Sequence, residues 1–213
     1  MKKGLFITFE GIEGSGKSTQ ARLLYEYLIK KKIEAVLTAE PGGTLVGQKV
    51  REVLLSPEHK GMSPVTELLL YNASRSQLIS ELIRPAIKEG KVIISDRFSD
   101  STVAYQGYGR GLPLKTISAL DRIATGGLKP DLTILLDLPP EVGLARNKKD
   151  KKKFADRLEL EELEFHKRVR KGFLKIRQAE PRRVKRIDVS KGGIKEIHKK
   201  IVQIIEQVIK EIN

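Results

Sequence analysis

The stretch GLFITFEGIEGSGKSTQARLL, residues 4–24, decides the fold. GLFITFE is a largely apolar run ending on Glu10, the pattern of a strand buried on both faces of a parallel sheet. Gly11, Gly14, Gly16, Lys17 and Ser18 then fit G-x-x-x-x-G-K-S, the P-loop pattern. Beyond them Leu23, Leu24, Tyr27 and Leu28 recur at helical spacing. The glycines let the backbone wrap tightly so that N–H groups face phosphate oxygens, and the helix N-terminus adds partial positive charge. The expected ATP-binding residues are Gly11, Ile12, Glu13, Gly14, Ser15, Gly16, Lys17, Ser18 and Thr19. Lys17 is expected on the β- and γ-phosphates, and Ser18 on Mg²⁺.

Further strands are expected at AVLTAE (35–40), KVIISD (91–96), LTILLDL (132–138) and VKRIDV (184–189). Helical patterns lie between them, at 44–55, 66–87 and 113–125, and two long helices are expected near 156–178 and 193–212. Alternating strands and helices predict an α/β, three-layer P-loop fold: about five parallel strands flanked by helices, in a single domain over 1–213. The segment ARNKKDKKKFADRLE (145–159) departs from this pattern, being dense in Lys and Arg and poor in core residues. It reads either as a solvated surface or as a small mobile lid, about 145–158, that brings cations to a phosphate.

The chain of 213 residues contains no cysteine, which excludes disulfides, thiolate metal sites and a cysteine nucleophile. The N-terminal apolar run is broken by Glu10 and lacks a cleavage site, and no stretch approaches the roughly 20 apolar residues of a membrane span. A cytoplasmic location and no membrane partner are expected. The net charge of +14 leaves two readings, a polyanionic partner such as nucleic acid or a lysine-rich surface around a small phosphate site.

Three more stretches separate the P-loop classes: EPGGT (40–44), YNASR (71–75) and DRFSDSTVAYQG (96–107), the last starting where open α/β sheets place ligands. EPGGT together with D-R-F-x-x-S-x-x-A-Y-Q at 96–106 resembles the signature set of thymidylate kinases. The resemblance runs over nearly the whole chain and implies transfer of the ATP γ-phosphoryl to dTMP, with Mg²⁺, in a homodimer that binds no nucleic acid. A P-loop ATPase acting on nucleic acid, or a kinase for another nucleotide, is the alternative.

Asp96, at the end of an apolar strand, suits the carboxylate that orients magnesium beside Ser18. The resemblance assigns Arg97 and Arg51 to the dTMP phosphate, Tyr71 to stacking on thymine and Arg75 to its O4. It places Thr102 and Gln106 on the acceptor nucleotide, Tyr105 near the sugar's 2′ carbon, and Glu40 and Pro41 in the turn that shapes the acceptor site. Helical spacing over 98–107 would set Phe98, Thr102, Tyr105 and Gln106 on one side. Arg75 facing thymine finds an acceptor, whereas cytosine offers an amino donor there. Two positions depart from the family pattern: Tyr71 replaces a common Phe, and Ala39 a common Arg.

Glu13 would be repelled by the phosphates of ATP; the resemblance assigns it to the 3′-hydroxyl of dTMP or to magnesium-bound water. Some relatives carry an Arg at the position of Gly14; here the cations are expected from the lid, with Arg146 and Arg157 foremost. The catalytic set is therefore Lys17, Arg97, Glu13, Arg146 and Arg157. Because the acceptor is already an anionic oxygen, no general base is needed.

Overall fold

A computed structural model describes residues 4–149 and 156–212. These form a parallel sheet in the order β2-β3-β1-β4-β5, with β1 Leu5–Glu10, β2 Ala35–Ala39, β3 Val92–Asp96, β4 Leu132–Asp137 and β5 Val184–Asp188. The strands lie within a residue or two of the apolar runs read above. Central β1 pairs with β3 on one side (Phe9 opposite Asp96) and with β4 on the other (Phe9 opposite Ile134). The C-terminal ends of β1 and β3 therefore sit side by side, which brings the glycine loop next to Asp96 and Arg97.

Side chains alternate across β1. Leu5, Ile7 and Phe9 enter the larger core with Leu24 and Leu28 of α1 (Lys17–Lys30), Val169 and Phe173 of α8 (Leu163–Ala179), and Ile201 and Ile205 of α9 (Ile194–Ile212). Phe6 enters the opposite core with Leu78, Ile83, Ile93 and Phe98. Its ring meets that of Phe98 edge-on at 4.9 Å, an arrangement worth about 1 kcal/mol beyond the area buried.

The helices over the acceptor side are α2 (Leu45–Leu55), α3 (Pro64–Leu78) and α6 (Leu114–Thr125). Thr44 caps α2 by accepting from Gly47 N at 2.9 Å, and Ser63 caps α3 by accepting from Thr66 N at 3.1 Å, with Pro64 at the first helical position. The helix α3 runs on through a wide turn (Ile79–Ile83) into α4 (Arg84–Lys88), as one pattern over 66–87 anticipates.

Two expectations are corrected. The segment after β3 is a short helix, α5 (Ser99–Thr102), followed by π-helical turns over Val103–Gly109, where Arg110 N donates to Tyr105 O, five residues back. Phe98 precedes the helix in extended backbone and drops into the opposite core, so it does not share a face with Tyr105 and Gln106. The helix expected from 156 begins only at Leu163, since Asp156 caps a turn by accepting from Leu158 N and Glu159 N. Of the expected lid, residues 150–155 lie outside the described residues; α7 (Pro140–Lys149) and the turn at Asp156–Leu158 flank them.

Candidate active site

The loop between β1 and α1 opens on a cleft lined by Glu13, Gly14, Gly16, Lys17, Ser18 and Thr19. Across the cleft stand Glu40, Pro41, Arg51, Asp96, Arg97 and Arg146. Gly11, Ile12 and Ser15 turn inward and hold the loop's shape: Lys17 Nζ donates to Ile12 O at 2.8 Å and to Ser15 Oγ at 3.3 Å, and Gly11 O accepts from Arg97. Burial and the nearby Arg97 charge push the Lys17 ammonium down to about 8, against the pull of Asp96, Glu13 and Glu10. Ser18 Oγ donates to Asp96 Oδ2 at 2.5 Å.

Arg97 is the hinge of the site. Its Nη1 donates to Gly11 O (2.9 Å) and Ser101 Oγ (3.1 Å), and its Nη2 to Glu13 Oε1 (2.9 Å) and Tyr105 Oη (3.2 Å). Tyr105 Oη in turn donates to Glu13 Oε1 at 2.5 Å, and His166 Nδ1 of α8 stands 3.4 Å from Glu13 Oε2. Burial alone would raise the Glu13 carboxyl, but His166, Arg97, Lys17 and Tyr105 together hold it well below the usual carboxylate range. Glu10 supports the arrangement from below, accepting from Phe98 N at 2.7 Å and Ser101 Oγ at 2.6 Å.

A small recess adjoins the cleft, lined by Tyr71, Arg97, Ser101, Thr102, Tyr105, Gln106 and Leu158. Arg97 lines both cavities. The expected acceptor residues Tyr71, Thr102, Tyr105 and Gln106 thus meet in one place. Arg75 lies behind Thr102, wholly buried, its guanidinium 5.2 Å over the Phe98 ring. Its Nε donates to Glu40 Oε2 (2.8 Å), and its Nη1 to Thr102 Oγ1 (2.9 Å) and Asp121 Oδ1 (3.2 Å) of α6. Glu40 is pushed up to about 7 by burial, which Arg75 only partly offsets.

Arg51 Nη1 donates to Pro41 O at 2.8 Å, which ties α2 to the EPGGT turn. Arg146 Nη2 donates to Val189 O at 3.0 Å and its side chain lines the cleft near Gly14. Arg157, expected among the phosphate cations with Arg146, is placed elsewhere: buried, with Nε donating to Leu54 O at 3.0 Å and the guanidinium paired with Glu67. A carboxylate distant in sequence explains this, since Glu67 pairs with the guanidinium and compensates its burial. Glu10, Glu67, Ser101, Leu158 and His166 were not singled out in the sequence. Only Ser101 had a local signal, as the serine within D-R-F-x-x-S; the others act through contacts made by folding.

Comparison with known proteins shows the family. A family model described as thymidylate kinase matches residues 9–201. The thymidylate kinase of Symbiobacterium thermophilum is 48% identical over 205 residues, covering 96% of this chain and 94% of its own length. That of Kosmotoga olearia is 46% identical over 199 residues, covering 93% and 94%. The crystal structure of thymidylate kinase from Ehrlichia chaffeensis superposes with a TM-score of 0.77 at 34% identity, covering 95% of this chain and 99% of the other. With a P-loop facing the EPGGT turn, and Arg97 shared between the cleft and the recess, the chain belongs to the thymidylate kinase family, which phosphorylates dTMP to dTDP with ATP.

Proposed function

We propose that the recess takes the thymine and sugar of dTMP, that the cleft takes the ATP phosphates, and that Arg97 grips the acceptor phosphate where the two cavities meet. The single observation that carries this reading is that Arg97 lines both. Tyr71 offers its ring to the base, and stacking of this kind tolerates any base. Selectivity falls to hydrogen bonds: with Arg75 Nε and Nη1 engaged by Glu40, Thr102 and Asp121, Nη2 is the nitrogen left to donate to thymine O4. Tyr105 closes the sugar end against a 2′-hydroxyl, and Glu13 Oε2 is the acceptor for the 3′-hydroxyl. It is buried, with His166 Nδ1 at 3.4 Å.

Transfer then needs alignment and charge neutralisation rather than a base. Lys17 meets the β- and γ-phosphates from the loop, Arg146 approaches from α7, and Arg51 and Arg97 hold the acceptor in line. Arg157 contributes from its place beside Glu67 by fixing the turn that carries Leu158 into the recess. The oxygens of Ser18 and Asp96 suit Mg²⁺, and Asp96 Oδ1 is buried without a hydrogen-bond partner among the described residues. Bound there, the ion would neutralise charge on the β- and γ-phosphate oxygens.

The helices α2, α3 and α6 leave Leu45, Val46, Val65, Leu69, Leu114 and Ile123 exposed, and α3 packs on both of the others. This apolar face is the proposed contact between two copies of the chain; light scattering of the purified protein at twice the chain mass supports it, and at the chain mass refutes it. Among the described residues no helix is long and apolar enough to cross a membrane.

A coupled assay of ADP release with dTMP, dUMP, dCMP, dGMP, AMP and thymidine tests the main reading. Selective turnover of dTMP is the expected result. Nucleic-acid-stimulated ATP hydrolysis with no response to dTMP would replace it by the alternative P-loop class.

A further inference from the structure

Glu67 lies near the start of α3, wholly buried, and its carboxylate is met by donors from three sides. Gln106 Nε2 donates to Oε1 at 2.7 Å. Arg110 donates from Nε to Oε1 at 3.2 Å and from Nη2 to Oε2 at 3.1 Å, and Arg157 pairs with Oε2. Burial works against the charge, but the hydrogen bonds of Arg110 and Gln106 and the two guanidinium charges hold Glu67 below the ordinary carboxylate range. An ionised carboxylate accepts hydrogen bonds and donates none. Gln106 must therefore turn its NH₂ toward Glu67, and its carbonyl is the end left for the recess that Gln106 lines.

We infer that Glu67 is a positioning residue that locks the Gln106 amide with its carbonyl toward the bound base, and thereby selects pyrimidines that carry a hydrogen on N3. Thymine and uracil present N3–H to that carbonyl. Cytosine presents a bare N3, so two acceptors would face each other and both would lose their hydrogen bonds to water. The inference rests on the reading of the recess as the thymine site. It is separate from the contact of Arg75 with O4, because Arg75 is held by Glu40, Thr102 and Asp121 rather than by Glu67. A glutamine at position 67 could donate as well as accept, and the Gln106 amide would then be free to turn over.

The test compares kcat/KM for dTMP, dUMP and 5-methyl-dCMP in the full chain and in Glu67→Gln. The last nucleotide matches dTMP in size and differs only in the hydrogen-bonding edge of the base. In Glu67→Gln the preference for dTMP over 5-methyl-dCMP is expected to fall about tenfold, while dTMP over dUMP stays within about twofold. Arg110→Gln loosens the same cluster but keeps the carboxylate, so it is expected to lower turnover with the preference intact. Equal losses for all three nucleotides in Glu67→Gln, or a fallen preference in Arg110→Gln, would overturn the inference. Should Glu67→Gln fail to fold by circular dichroism, Gln106→Leu must show the same loss of preference, and an unchanged ratio there overturns it too. A wild-type enzyme indifferent to dTMP would remove the reading of the recess and this inference with it. A dTMP-selective wild type with an unaltered ratio in the variants removes this inference alone.

Discussion

Arg97 Nη2 lies 2.9 Å from Glu13 Oε1, so the arginine at the end of β3 is tied to the tip of the glycine loop after β1. Its backbone has φ of 76°, a left-handed conformation that costs a non-glycine residue about 1–3 kcal/mol. The surroundings hold it there: Arg97 N donates to Phe9 O at 2.9 Å and Ser95 Oγ donates to Arg97 O at 2.7 Å. Such a strained residue, held by the sheet itself, is a fixed cation rather than a searching one.

Arg97→Ala is therefore expected to lower kcat/KM for dTMP by about a hundredfold or more, equivalent to about 2.7 kcal/mol of transition-state binding. ATP affinity, measured by calorimetry, should stay within about threefold, because Lys17 and the loop remain. Normal dTMP turnover in this variant would discredit the placing of the acceptor phosphate.

For Glu13→Gln the informative substrate is 3′-deoxythymidine monophosphate. The wild type should use it about tenfold or more less well than dTMP, since Glu13 Oε2 loses the hydroxyl it accepts from. In the variant the two nucleotides should converge, with dTMP falling toward the analogue. A variant that keeps the full preference would show that another group reads the 3′ end.

Lys17 sits at about 8 in the free enzyme against an ordinary value of 10.5, lowered by burial and Arg97. Between these values the unfolded chain binds a proton that the folded chain lacks, so Lys17 makes stability rise with pH across that window. A triphosphate restores the charged form. ATP binding at about pH 8–9 should therefore take up a proton, read as a dependence of binding enthalpy on the ionisation enthalpy of the buffer. The uptake should vanish in Lys17→Met; its absence in the wild type would contradict the burial argument.

Glu10 is pushed up to about 8 by burial first and by Asp100 second, against Arg97, Ser101 and Phe98 N. From about pH 4.5 to 8 the folded chain holds a proton that the unfolded chain releases, so this group makes stability fall as pH rises. Glu40, at about 7, acts in the same direction over a narrower range. Thermal melts from pH 5 to 8 should slope downward, and Glu10→Gln should flatten the slope. An equal slope in the variant would locate the effect elsewhere.

Gly14 shows where reading by resemblance stopped short. The sequence shows that this position lacks the arginine some relatives carry. The fold adds a reason: its φ is 69°, and a Cβ there would run into the backbone of Gly143 in α7, as a Cβ on Gly143 would meet the Glu13 carbonyl. The two glycines let α7 approach the loop, which sets Arg146 near Gly14. No spacing in the sequence announces that pairing.

The sequence by itself determined the sheet and the P-loop, because these rest on local periodicity and on backbone geometry that only glycine accepts; the acceptor motifs were legible only through their resemblance to a family. Runs such as VIISD and LTILLD can hardly be anything but buried parallel strands, and G-x-x-x-x-G-K-S between strand and helix leaves little choice of chemistry. Tertiary structure alone decided which face Phe98 takes, because its backbone is extended and precedes the helix, so helical spacing does not apply to it. It also decided the partners of Glu67, His166 and Arg157. A charged residue in a helix pattern reads as surface until folding removes water from it, and then the nearest opposite charge, however distant in the chain, becomes its required partner.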